Sequence, residues 1–302
     1  MKISPSSIPG LIVLGLLAFA PSGRSAVAVE YFNDYGTVTT GLVAGSLNGG
    51  IGWSGAWQGG ASNSYFQAAN PTYSGSGYSD TGNDNGADDG VARGSSTSSI
   101  AFRTLADGGM TGTIWISALV NQASDGDLLL WLDKTNTAAN GADREFVALR
   151  SSTGTSGLTT PEPVMCFNGG TDMTSNNTDF AAGTHLFMIR IDMNYNGAND
   201  AVSFWINPTL TGGIAGLGTP IYSANGADAY GTVFDGIGMS SNGTQSTLDS
   251  IRISNDANAF DFVITGVPEP SSAALILLAT TGFLVRRRRS VSNTPQSWRV
   301  IV

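Results

Sequence analysis

His185-Leu186-Phe187-Met188-Ile189-Arg190-Ile191-Asp192 and Ala201-Val202-Ser203-Phe204-Trp205-Ile206 are two apolar runs rich in β-branched and aromatic residues. Between them lies Met193-Asn194-Tyr195-Asn196-Gly197-Ala198-Asn199-Asp200. Strand-forming runs on either side of an Asn/Asp/Gly connection read as a β-hairpin. Alternation within the second run puts Val202, Phe204 and Ile206 on one face and Ser203 and Trp205 on the other, which predicts an outward indole at Trp205.

Working outward, the same texture recurs. Ser99–Leu105 and Arg144–Arg150 alternate, Gly112–Val120 follows a Gly-Gly turn, and Asp127–Leu132 is apolar on both faces. Pro163–Phe167, Val233–Ile237 and Leu248–Ile253 read as further strands, and Phe260–Ile264 as the strand that closes the domain. Tyr31–Tyr35 begins it, followed by the Gly-rich stretch Leu47–Trp57, which reads as turns and close backbone contacts; forty glycines in the chain fit a β protein with many turns. No helical period is sustained before Ala273 and no βαβ spacing occurs. The expectation is an all-β chain in which two antiparallel sheets pack face to face.

The two ends differ from the middle. Lys2, the apolar stretch Leu11–Ala20 and the small-x-small pattern Ala26-Val27-Ala28 read as a signal peptide over residues 1–28, with a signal helix and a mature chain starting at Val29. At the other end, Pro268 and Pro270 cannot continue a strand ladder and so end the folded domain at about residue 265. Residues 271–285 carry no charge and are expected to enter a bilayer as a single transmembrane helix, though fifteen residues fall short of the roughly 20 of a full span. Arg286-Arg287-Arg288-Arg289 stop it, since guanidinium in hydrocarbon costs about 2.5–3.5 kcal/mol each. The cluster stays cytoplasmic by the positive-inside rule, which places the domain outside and residues 290–302 as a cytoplasmic tail.

Pro268-Glu269-Pro270-Ser271, the short helix and Arg286–Arg289 together resemble the PEP-CTERM sorting signal of exported bacterial proteins, here over residues 266–289. The resemblance implies processing near Pro-Glu-Pro by an exosortase-type membrane enzyme, with the protein first held at the inner membrane and then passed to the cell envelope or the extracellular space. Such tags usually end soon after the arginines, whereas Ser290–Val302 follows here. A second resemblance rests on Trp53-Ser54-Gly55-Ala56-Trp57, Gly112–Ser117, Arg144-Glu145-Phe146, Val202–Pro208 and Leu248–Ile253, which look like the laminin-G/concanavalin-like jelly roll. It implies a lectin-like β-sandwich over residues 29–265 and carries no ligand site with it.

Charge narrows the partners. Residues 29–267 hold 22 acidic and 7 basic side chains, a balance that argues against nucleic acid and leaves cations, neutral glycans and proteins. Cys166, the only cysteine, permits no internal disulfide and reads as a buried thiol. His185 is the only histidine, stands at the head of an apolar strand, and has no nucleophile motif beside it. No catalytic residue is assigned, and the expected role is non-enzymatic. A glycan-cleaving enzyme or a purely structural matrix protein on the same fold are the alternatives.

Two loops offer the oxygens that calcium takes: Asp80, Asp84, Asp88 and Asp89 in one, Asp192, Asn194 and Asn196 in the other. The second opens like an EF-hand but has Ser203 at the twelfth position, and both compositions also suit plain turns. Exposed tryptophans on a sandwich stack on sugar rings, so Trp205, Trp115 and Trp131 are the candidates for extracellular polysaccharide. Core filling is the other reading of residues this large.

Overall fold

The computed structural model describes residues 26–32, 48–59, 65–68, 72–79, 90–93, 101–122, 127–132, 145–150, 161–167, 173–174, 179–197, 199–227, 229–242 and 246–266. The signal segment before Ala26, the loop holding Asp80, Asp84, Asp88 and Asp89, and everything from Val267 onward, including Pro268–Ser271, residues 271–285 and Arg286–Arg289, lie outside them. Among the described residues no helix is long and apolar enough to cross a membrane.

The described strands are β1 (Val27–Glu30), β2 (Gln58–Gly59), β3 (Tyr65–Ala68), β4 (Gly90–Arg93), β5 (Ala101–Thr104), β6 (Thr113–Gln122), β7 (Asp127–Leu132), β8 (Phe146–Arg150), β9 (Glu162–Cys166), β10 (Met173–Thr174), β11 (Gly183–Asp192), β12 (Asn199–Ile206), β13 (Tyr222–Ala227), β14 (Gly236–Asn242) and β15 (Thr247–Ser254). They form two antiparallel sheets. One runs β13-β12-β11-β6-β15-β4-β3 with β1 also on β15; the other runs β10-β9-β8-β7-β14-β5-β2. The described residues are therefore mostly strand, in the two antiparallel sheets expected, and the β11–β12 hairpin pairs Phe187 with Ile206 through to Asp192 with Ala201.

Strand parity builds the core. Ile114, Ile116, Ala118 and Val120 of β6, Phe187 and Ile189 of β11 and Val202 and Phe204 of β12 face Leu128, Leu130 and Leu132 of β7 and Val147 and Leu149 of β8 in one cluster between the sheets. Asp127–Leu132 reads as apolar on both faces because both are covered: Leu129 and Trp131 point the other way, into a smaller cluster with Phe146, Ala148, Val164 and Cys166.

Two of the charged residues on inward positions meet each other. Alternation places Glu30 between Ala28 and Phe32, and Arg103 between Ala101 and Leu105, all four of those neighbours being core residues. The Arg103 guanidinium meets the Glu30 carboxylate there, with both side chains almost wholly buried. The rest of each group is satisfied. Phe32 N–H and Trp57 Nε1–H donate to Glu30, and Arg103 donates to the carbonyls of Gly55 and Gly49. The Gly-rich stretch closes over this tie. Gly50 and Gly52 have positive φ, and a Cβ at either would collide with the carbonyl of Val29 or Val27.

Two sequence expectations are corrected. Phe260–Ile264 is not a strand but the middle of a two-turn helix, α1 (Ala259–Thr265), ended by Gly266 in the left-handed conformation with its N–H on the Phe262 carbonyl. A five-residue apolar run has no period of its own, and here packing on the outer face of a sheet selects the helix. Val233–Ile237 is displaced: Phe234 makes only an isolated bridge to Met110, and the strand starts at Gly236. Val27 and Ala28, ahead of Val29, pair with Ser254 and Ile253 of β15.

Candidate functional site

The outer face of the eight-stranded sheet is apolar, which alternation alone does not require. Trp115 and Leu119 of β6, Leu186 and Met188 of β11 and Trp205 of β12 lie there with Leu210, Leu217 and the α1 residues Phe260, Phe262, Val263 and Ile264. The helix is pinned to the sheet at its C-terminal end. The Val263 carbonyl accepts from Ser117 Oγ at 2.6 Å and from Arg252 at 3.4 Å, a cation placed where the helix dipole favours it. Arg252 is itself fully buried, with its guanidinium over the rings of Tyr78 and Tyr31.

This covering decides the fate of the tryptophans. Trp205 does project from the face opposite Val202, Phe204 and Ile206, as alternation predicts, but only 8% of it is exposed. The segment after β12 folds back over it: Asn207 turns with φ 52°, Leu210 and Leu217 pack alongside, and the Gly218 carbonyl accepts from Trp205 Nε1 at 3.1 Å. Trp115 stacks on it at 6.0 Å between centroids, with the edge of Phe260 at 5.0 Å and the Arg190 guanidinium at 5.7 Å. The expected outward ring at Trp205 is thus corrected to a roofed one. Trp131 lies on the outer face of the other sheet, against Phe146 at 5.0 Å, with its Nε1–H on Ser240 Oγ.

What the covering leaves is a groove of about 430 Å³ between the 3-10 turn Gly213–Leu217 and the segment leading into α1. Thr113 and Trp115 line it from β6, Ile214 from the turn, and Asp256, Asn258, Phe260 and Asp261 from the other bank. Ile214 is half exposed, and Asn258 and Asp261 are exposed. Asp256 is oriented by accepting the Asn258 N–H at 2.9 Å, and Thr113 Oγ1 donates to Asp192 at 2.7 Å. An apolar lining with a few converging hydroxyl, amide and carboxylate groups is the usual makeup of a small-ligand site. Of the described residues singled out in the sequence, only Trp115 lines it; Ile214, Asp256, Asn258 and Asp261 carried no signal, since no periodicity links the two banks.

The second calcium loop is a hairpin turn held by its own polar groups. Asp192 Oδ1 accepts from Arg190 at 3.0 Å as well as from Thr113, and Asn196 Oδ1 accepts from the Asn199 N–H. Asn194, with φ 54°, donates its N–H to Asp200, whose other oxygen takes the Tyr230 N–H; Asp200 is fully buried. Among the described residues no three His, Cys, Asp or Glu side chains come together in a group that could hold a metal ion.

His185 is 6% exposed and its ring is fully engaged. Nε2 donates to the Ala181 carbonyl at 2.9 Å, which leaves Nδ1 to accept from Asn207 Nδ2 at 2.9 Å. Burial holds its pKa below the ordinary histidine value, opposed in part by the bond to Ala181. Cys166 is buried beside Val164 and Ala148. Tyr222 ties the sheets at the far edge, its hydroxyl donating to the Pro163 carbonyl, and burial with the nearby Glu162 raises its pKa.

No protein-family model matches the chain, and comparison with curated proteins gives no match. Solved structures to which it is similar include an endo-1,3-beta-glucanase from Streptomyces sioyaensis, at 10% identity and a TM-score of 0.37, covering 78% of this chain and 98% of that one. Domain 4 of AbnA, a GH43 extracellular arabinanase from Geobacillus stearothermophilus, in complex with arabinotriose, gives 13% identity and a TM-score of 0.35 over 80% of this chain and 99% of that one. A tetrameric galectin from the sponge Cinachyrella sp. gives 12% identity and a TM-score of 0.32 over 51% and 97%.

Proposed function

We propose that this is an exported, non-enzymatic protein of the bacterial envelope or extracellular matrix, sorted through its C-terminal tag and binding neutral polysaccharide along the groove beside α1. The groove carries the binding half of this reading. Its two acidic residues and one amide accept from or donate to sugar hydroxyls, while the half-exposed Ile214 meets an apolar C–H face. Its charge, within a strongly acidic domain, disfavours anionic polymers. The order Pro-Glu-Pro, uncharged stretch and four arginines supports the sorting half, with an exosortase-type enzyme as processing partner and the membrane as a temporary one. Calcium stays in this reading as a ligand for the loop of Asp80, Asp84, Asp88 and Asp89, whose oxygen-rich sequence supports it.

The test is retention on neutral polysaccharides, with Ile214→Asp and Asp261→Ala as groove variants chosen for exposed positions. Binding to at least one glycan that drops tenfold or more in both variants, at unchanged melting temperature, is the expected result. Release of reducing sugar from the same glycans would replace the reading with a glycan-cleaving enzyme, whose chemistry needs two placed carboxylates. Retention of no glycan would leave a structural matrix protein. Expression with and without an exosortase, followed by mass measurement, tests the sorting half; an intact C-terminus in both hosts removes it.

A further inference from the structure

Signal peptidases need small residues at the first and third positions before the scissile bond. Ala26-Val27-Ala28 satisfies that pattern, and so does Gly23-Arg24-Ser25. The fold discriminates between them. Cutting after Ala28 would remove half of β1, because Val27 and Ala28 pair with Ser254 and Ile253 of β15. Ala28 is wholly buried in the core between the sheets, and Val27 packs on the cluster under α1. The turn at Gly52 is built against the backbone of these same two residues, for a Cβ there would strike the Val27 carbonyl and Ala28 Cα. Ala26 is held in turn: its N–H donates to Asn255 Oδ1 at 2.8 Å, and its carbonyl accepts from the Asn255 N–H at 3.3 Å.

We infer that the exported chain is cut between Ser25 and Ala26, so that the mature N-terminus is Ala26. This inference rests on the export reading above. The new ammonium keeps the donor that Asn255 Oδ1 already accepts, and every paired residue of β1 stays with the domain. Ala18-Phe19-Ala20 also shows the small-x-small pattern, but Pro21 follows it, with no N–H and a fixed φ. Ala20-Pro21-Ser22 is the remaining frame, and it would leave Gly23-Arg24-Ser25 ahead of the strand. The Gly23-Arg24-Ser25 frame is the last that spares β1.

The experiment is N-terminal sequencing and intact-mass measurement of the full-length protein recovered from the envelope or medium of an exporting host. Ala26 as first residue is expected, and Ser25→Leu should reduce that species at least tenfold, since a large side chain replaces a small one next to the bond. A wild-type N-terminus at Val29, Gly23 or Pro21 would overturn the assignment while leaving export standing. Ser25→Leu processed to Ala26 as efficiently as wild type would also overturn it. Intact Met1 on the envelope or medium protein would also overturn the assignment, whereas protein found only in the cytoplasm with Met1 intact would remove the export reading itself, and the cleavage site with it.

Discussion

The Arg103 guanidinium and the Glu30 carboxylate, 73 residues apart in the chain, form a buried ion pair that joins the seven-stranded sheet to the eight-stranded one. Such a pair adds little over a well-packed apolar replacement, but breaking it from one side leaves a charge stranded. Glu30→Gln and Arg103→Met are each expected to lower stability by about 3–5 kcal/mol. The double variant Glu30→Leu with Arg103→Met should recover much of that loss. Urea denaturation of the four proteins measures it, and single variants within about 1 kcal/mol of wild type would contradict the account.

Trp205→Ala removes a buried indole that stacks on Trp115 and donates to Gly218. The expected cost is about 3–5 kcal/mol, the range for large-to-small aromatic truncation in a core. The measurement is the denaturation midpoint followed by tryptophan fluorescence. A variant as stable as wild type would mean that the ring stands open to solvent.

His185 gives stability a specific pH dependence. Its folded pKa lies below the ordinary value near 6.5, so the folded state holds fewer protons on this ring than the unfolded chain does. The contribution is therefore complete above about pH 6.5 and declines as pH falls from there toward the lowered folded value. His185→Gln, which retains an acceptor and a donor, should flatten that part of the stability profile. Thermal melts from pH 7.5 to 5 of both proteins test it, and parallel profiles would count against it.

How much of this was legible in the residues themselves follows from where periodicity exists. Asp127–Leu132 and the β11–β12 pair announce strands because their apolar positions alternate or fill both faces. The parity of Trp205 was legible, but its roof was not, since Thr209–Pro220 is an irregular run whose only ordered piece is a short 3-10 turn. Arg103 carries a signal in the residues themselves: on β5 it shares a face with Ala101 and Leu105, an inward address for a charge. The groove left none, because its banks lie far along the chain from Thr113 and Trp115 and meet them only in the folded protein.

Asp192 supplies a prediction about calcium. Arg190 and Thr113 already occupy its Oδ1, so Asp192→Asn is expected to leave any calcium-dependent change in melting temperature within about 1 °C of wild type. Melts with calcium and with chelator make the comparison. Loss of a calcium response in this variant would place the ion at the hairpin after all.

The first strand of the domain, β1, finds its partner in the last, β15, more than two hundred residues later. Contacts of that separation form late, because the loop they close must be gathered first. A polypeptide whose opening residues wait for its closing ones stays threadable while it is still emerging. The edge that β1 completes is set only once the far end of the domain has been made, so a truncation short of β15 leaves the opening residues without their ladder.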